Sequence, residues 1–137
     1  MGAAVSHTGR RASLVGDGAR VLLALVRIAN GTLGLVAPSV ISLPLTESDD
    51  LDAHKPAHYP FRLFGIRTVI IGAELLSRDA YVRERAVRVA LPIHATDTVS
   101  AALGGLLGEL PAKTAVRLAA LSGTNTLLAL LARRTLR

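Results

Sequence analysis

The sequence lacks cysteine and tryptophan and has few aromatic residues of any kind. None of its 137 residues is Cys or Trp, and aromatic residues make up 3% of the chain. The absence of cysteine excludes disulfide bonds, thiol nucleophiles and cysteine metal ligands. A soluble core of this size normally contains more aromatic surface. The deficit therefore favours helices in a lipid bilayer, with an alanine- and leucine-rich soluble bundle as the alternative.

The hydrophobic residues, half of the chain, are gathered into four segments. At about 1.5 Å per residue, segments of roughly 20 residues cross a hydrocarbon core of about 30 Å. We predict an all-α, four-helix transmembrane bundle that forms a single domain over 20–137. Residues 1–19 are rich in Gly, Ala and Ser without apolar periodicity, which predicts a mobile tail. The predicted spans are residues 20–41, 61–77, 86–107 and 112–132.

The charges in the connections alternate along the chain as a membrane topology requires. Short cytoplasmic loops hold the Lys and Arg residues. The N-terminal flank, the second connection and the C-terminus are basic, and the first connection is acidic. Both termini are therefore predicted to be cytoplasmic. The protein is predicted to be a multi-pass protein of the inner (plasma) membrane, with the lipid bilayer as a partner. The basic residues are Arg10, Arg11, Arg20, Arg78, Arg83, Arg85, Arg88, Arg133, Arg134 and Arg137, and the acidic ones are Glu47, Asp49, Asp50 and Asp52.

Several functional classes find little support in the sequence. The net charge of +6 does not form a basic face interleaved with aromatics, so no nucleic-acid partner is expected. No phosphate-binding loop, nucleophile elbow or dinucleotide fingerprint is present, and no cofactor is predicted. His54 and His58 accompany the acidic connection, but Pro56 separates them and a solvated loop is favoured over a metal site.

Charged and polar residues inside the spans are the candidate functional residues. They share helix faces with small residues, which indicates that these faces point into the bundle. Depth counted along each helix places Arg67 beside Asp97 near the bilayer centre and Arg27 beside Glu74 closer to the cytoplasm, with His94 near the second pair. We predict these two ion pairs because an unpaired charge in lipid is costly. The candidate catalytic residues are His94, Asp97, Arg67 and Glu74; the candidate polar binding layer is Arg27, Asn30 and Asn125.

Two short motifs resemble those of a known family. The stretch Arg62-Leu63-Phe64-Gly65-Ile66-Arg67 fits R-x-x-G-x-R, and His94-Ala95-Thr96-Asp97 fits H-x-x-D, followed by Gly104, Gly105 and Gly108. Residues 61–108 thereby resemble a family of small four-helix membrane proteins of unknown function from bacteria and fungi. The resemblance implies a membrane location and a fold, but no activity. The composition rich in Ala, Arg and Leu is typical of a bacterium.

Three functions remain open from the sequence. The first is an accessory or self-associating membrane subunit without catalysis, in a homo-oligomer or larger membrane complex, since Gly104 and Gly108 suit contacts between helices. The second is a membrane enzyme that uses His94, Asp97 and Arg67 on a lipophilic substrate. The third is a proton-coupled carrier that acts as a dimer, with Glu74 and His94 as the relay. Whether any activity exists is left open.

Overall fold

The described part of the chain is built entirely of helices. A computed structural model describes residues 2–42 and 51–136, and the side chains within 12–42 and 55–136. This part confirms the all-α prediction. The helices are α1 (Gly2–Val36), α2 (Pro38–Ser42), α3 (Leu51–Leu75), α4 (Ala80–Leu106) and α5 (Ala112–Ala132), followed by a 3-10 turn over Arg133–Leu136.

Helix α1 starts much earlier than predicted and also ends earlier. It begins at Gly2, so the segment predicted as a tail is helical from Gly2 onward. Gly16 packs against Arg134 and Thr135 of the C-terminal turn, a tertiary contact that the local sequence does not reveal. Pro38 has no N–H to continue the hydrogen-bond ladder, so the predicted first span divides into α1 and the short α2.

Helices α3 and α4 also begin before their predicted starts. Helix α3 begins at Leu51, so much of the predicted outer connection is helical, while residues 43–50 lie outside the described residues. Helix α4 begins at Ala80 because Asp79 caps it, accepting hydrogen bonds from the backbone N–H groups of Tyr81 and Val82 at 2.8 and 3.2 Å. Helix α5 has the predicted bounds.

Glycines bring α1 and α3 into direct backbone contact as antiparallel neighbours. A Cβ atom built on Gly65 would lie 2.5 Å from the carbonyl oxygen of Gly31, and one built on Gly31 would lie 2.8 Å from the backbone nitrogen of Val69. One turn further along α3, Gly72 fits against Ala24. Any side chain at these positions would force the helices apart, so the crossing depends on small residues.

Two ends of the bundle can be distinguished. The terminal end contains Arg134 and Thr135 beside α1, together with residues 76–79 that join α3 to α4. There a core of mostly small side chains closes the bundle: Leu23, Ala24, Leu75, Ala86, Val87, Ala90, Ala129 and Ala132. The turn end contains α2 and the tight connection from α4 to α5. In that connection Gly108 has a φ of +74°, and the N–H groups of Glu109 and Leu110 donate to the carbonyl of Gly104.

The large hydrophobic side chains lie mainly on the outer surface. Among the side chains that the structure describes, eight of the eleven buried hydrophobic ones are alanine, whereas Leu106, Val36 and Leu107 are 83%, 71% and 68% exposed. Two segments, Ala12–Val36 and Ala112–Leu136, are long and apolar enough to cross a membrane. Helices α3 and α4 do not meet that test, since each carries several polar or charged residues within its apolar stretch.

Candidate functional site

The turn-end half of the bundle contains a large cleft. Its volume is about 800 Å³, and its walls come from all five helices and from the connection before α5. Along each long helix the cleft residues lie on the turn-end side of the closed core: after Leu23 in α1, before Leu75 in α3 and after Ala90 in α4. The bundle is therefore closed at its terminal end and splayed at its turn end.

Arg27 and His94 lie at the inner end of this cleft and join α1 to α4. Both residues are buried, at 4% and 5% exposure, and Arg27 Nη1 lies 2.6 Å from His94 Nε2. A guanidinium has only donors, so Nε2 must accept and cannot carry a proton in this arrangement. His94 is accordingly neutral here, with its ring proton on Nδ1. The pair fixes Arg27 by a charge-assisted hydrogen bond.

Asp97 lies on the other side of the His94 ring. Its Oδ2 is 3.7 Å from His94 Nδ1, three residues along the same helix face. That distance exceeds a good hydrogen bond, and the ring is neutral, so the contact orients the Nδ1 proton toward the carboxylate without forming a tight ion pair. Arg27, His94 and Asp97 thus form a row from the buried end of the cleft to its half-exposed wall.

Two buried polar atoms at the cleft have no hydrogen-bond partner. They are Nε of Arg27 and Oδ1 of Asn125, and both residues line the cleft. Asn125 is 6% exposed, and its Oδ1 has been removed from water without a replacement hydrogen bond. An unsatisfied buried polar group costs about 1–3 kcal/mol, which makes it a candidate for contact with a ligand.

The structure brings together most of the residues that the sequence singled out, but not in the predicted pairs. Arg27, Asn30, Arg67, His94, Asp97 and Asn125 all line the cleft. Arg67 and Asp97 are both exposed and share no ion pair within 4.0 Å, so that predicted pair is wrong in this conformation. Arg67 instead faces the open cleft.

The predicted pair of Arg27 and Glu74 is also wrong. Arg27 contacts His94, and Glu74 is half-buried and does not line the cleft. The reason is the register of α3: Gly72 packs against Arg27 Cβ, and Glu74, two residues later, lies on nearly the opposite side of that helix. The sequence did correctly place His94 close to Arg27.

Sequence reasoning missed part of the cleft wall. Arg117 was not among the candidate residues, yet it lines the cleft together with Ser100 and Ser122. The signal was present as a stripe on α5 with helical spacing: Thr114, Arg117, Leu118, Leu121, Ser122 and Asn125. Phe61 and Phe64, which were not candidate residues either, line the cleft as well.

Comparison with protein families, curated proteins and solved structures finds no match to this chain. Among the described side chains, those of residues 12–42 and 55–136, no three His, Asp or Glu residues are grouped as metal ligands. His58 is not among the residues that line the cleft, and the acidic residues Glu47, Asp49 and Asp50 lie outside the described part.

Proposed function

We propose that this protein is a four-span integral membrane protein that binds a lipophilic small molecule in the cleft. Both termini are cytoplasmic in this proposal, and the membrane is the inner (plasma) membrane of a bacterium. The observation that carries it is the cleft itself, a space of about 800 Å³ in which a buried polar layer meets apolar walls. That combination is typical of small-molecule sites, which measure about 300–1,000 Å³.

The distribution of side-chain size supports a membrane environment. Alanine and glycine fill the helix contacts, while leucine and valine project outward, including Leu22, Leu25 and Leu130 at 50%, 54% and 53% exposure. In water such a surface would promote association, since soluble monomers rarely expose large continuous apolar areas. In lipid it needs no other cover, because packing of small residues holds the helices together.

The charge difference between the two ends supports cytoplasmic termini. The terminal end carries six arginines, whereas the described charges of the turn end are Lys55, Arg62, Glu109 and Lys113, and the sequence that precedes Lys55 is acidic. Short segments rich in Lys and Arg remain on the cytoplasmic side. The cleft then opens in the outer half of the membrane. The arginines of the terminal end are Arg20, Arg78, Arg83, Arg85, Arg133 and Arg134.

Binding is better supported than acid–base catalysis. A catalytic His94 would need its Nε2 lone pair for the substrate, but that lone pair accepts the hydrogen bond of Arg27. His94 therefore acts as a positioning residue for Arg27. An enzyme on a lipophilic substrate remains the second candidate, because His94 and Asp97 lie together on the cleft wall.

Self-association is less well supported than ligand binding, because the two glycines that suggested it have other roles. Gly104 accommodates the side chain of Leu110 from the same chain, and Gly108 supplies the positive φ that ends α4. Both glycines therefore have roles within the monomer. Membership of a larger complex remains a prediction that rests on the small size of the chain.

A pair of variants on α5 tests the proposed function. Ser122 is half-buried in the cleft wall, whereas Thr124, two residues away, is exposed on another face. Ser122→Phe should fill the cleft and Thr124→Phe should not. Native mass spectrometry of protein extracted from membranes should detect a lipophilic ligand on the wild type and on Thr124→Phe, and not on Ser122→Phe. Equal ligand retention by all three, with equal thermal stability, would contradict a binding site in the cleft.

A further inference from the structure

The cleft has an excess of positive charge. Arg27, Arg67 and Arg117 line it, and the one carboxylate in its lining belongs to Asp97. None of these arginines forms an ion pair within 4.0 Å in the part of the chain that the structure describes. With His94 neutral, the charged side chains that line the cleft are three arginines and one aspartate, so the lining carries more positive than negative charge.

The buried end of the cleft is prepared for a polar group that carries acceptors. The His94 ring holds one Nη of Arg27, which leaves Nε of the same guanidinium buried without an acceptor. Asn125 is buried there as well, but its unpartnered atom is Oδ1, an acceptor, so only its Nδ2 group can donate to an anionic head. A planar guanidinium suits carboxylates and phosphates, which accept from it through two oxygen atoms.

The remaining walls are apolar and suit a hydrocarbon chain. Phe61 and Phe64 come from α3, Ile93 from α4, and Leu118 and Leu121 from α5. A free inorganic anion would contact few of these side chains, so they would remain without a partner. The polar end and the apolar walls of the cleft therefore fit a single ligand that has a polar head and an apolar chain.

We infer that the ligand is an amphipathic anion, a carboxylate or phosphate head on an apolar chain, with Arg27 and Arg67 binding the head. This inference rests on the proposed function and names the ligand class of the same cleft. A cationic amphiphile is disfavoured by the three arginines. A neutral one would leave their charge uncompensated in a region of low dielectric.

Binding of tritiated oleate, oleyl phosphate and oleyl alcohol to purified protein in an uncharged detergent tests the inference. These probes share one chain and differ in the head. We expect the wild type to bind at least one anion more tightly than the alcohol. Arg67→Gln should weaken that anion's binding by about tenfold or more, the usual effect of losing a hydrogen bond to a charged group. Binding of the alcohol should not change.

Two further variants serve as controls for charge. Arg62 is exposed on α3 and does not line the cleft, so Arg62→Gln should bind the anions as the wild type does. Asp97→Asn removes the negative charge of the lining and should tighten anion binding. Acetate and inorganic phosphate, which have a head and no chain, should not compete with the bound probe.

The possible outcomes distinguish an error in the ligand class from an error in the proposed binding site. If oleyl alcohol binds as tightly as both anions and Ser122→Phe abolishes all binding, the cleft is a site but the anionic ligand is wrong. If acetate or inorganic phosphate displaces the probe completely, the amphipathic part is wrong. If Ser122→Phe leaves the binding of every probe unchanged, the proposed function fails together with this inference. Tighter binding of oleate indicates a carboxylate head, and tighter binding of oleyl phosphate indicates a phosphate head.

Discussion

At the scale of single residues, the central feature is a buried arginine held by a neutral histidine. Arg27 is 4% exposed and its strongest contact is the 2.6 Å hydrogen bond to His94 Nε2. A buried cation is tolerated only when hydrogen bonds compensate for the loss of water. The two residues come from different helices, so each should depend on the other for its contribution to stability.

A double-mutant cycle on this pair measures that dependence. His94→Leu leaves Arg27 buried without its acceptor and should destabilise the fold by about 3–5 kcal/mol. Arg27→Met leaves an unpartnered Nε2 and should cost about 1–3 kcal/mol. The double variant should lose less than the sum. Thermal unfolding in detergent gives all three values, and additive losses would show that the two residues are not coupled.

The pair Arg67 and Asp97 provides the matched comparison. Both residues are exposed in the cleft and form no ion pair within 4.0 Å of each other, so their alanine variants should be additive within about 0.5 kcal/mol. A strong coupling between Arg67 and Asp97, with none between Arg27 and His94, would support the ion pair of Arg67 and Asp97 that was predicted from residue depth.

At the scale of helices, the crossing of α1 and α3 is set by glycine. A Cβ on Gly65 would lie 2.5 Å from the carbonyl oxygen of Gly31, and backbone cannot move aside as a flexible side chain can. By contrast, nothing lies within 4 Å of a Cβ built on Gly18 of α1. The same substitution should therefore have opposite effects at the two positions.

Gly65→Ala should destabilise the bundle by about 1–3 kcal/mol, because the added methyl group overpacks the crossing. Gly18→Ala should stabilise it by up to about 1 kcal/mol, because alanine is the better helix former. Thermal unfolding of both variants in the same detergent measures the difference. Equal stabilisation by the two alanines would mean that α1 and α3 do not approach as closely as described.

Helix boundaries show where sequence reasoning succeeded and where it could not. The predicted start of α5 at residue 112 is correct, because the effect of Pro111 on the backbone is local. Asp79 was a local signal as well, an N-cap hidden among the arginines of a connection predicted to be a loop. The helical N-terminal segment had no such signal, since Gly16 finds its contacts at Arg134 and Thr135, far away in sequence.

In the candidate site, too, local sequence signals were predictive and tertiary contacts were not. Hydropathy and helical spacing identified Arg27, His94, Asp97 and Asn125 as inward-facing, and the cleft contains all four. Depth along separate helices could not predict which of them touch, because partner choice depends on the register of α3 against α1. That register follows from Gly31, Gly65 and Gly72, whose fit is known only once both helices are placed.

At the scale of the whole molecule, the described helices form a bundle with its large side chains outside and a cleft open toward one end. The closed core lies at the terminal end and the polar row of Arg27, His94 and Asp97 begins where that core stops. If the termini are cytoplasmic, the cleft faces the outer half of the membrane. Orientation therefore decides from which side a ligand enters.

Single-cysteine labelling in intact cells tests this orientation most directly. The natural chain has no cysteine, so each introduced thiol is the only one in the protein. Glu109 and Arg134 are both exposed, at the turn end and the terminal end respectively. The account predicts that Glu109→Cys reacts with a membrane-impermeant maleimide in intact cells, and that Arg134→Cys reacts only after permeabilisation. Labelling of Arg134→Cys in intact cells, with or without Glu109→Cys, would contradict it.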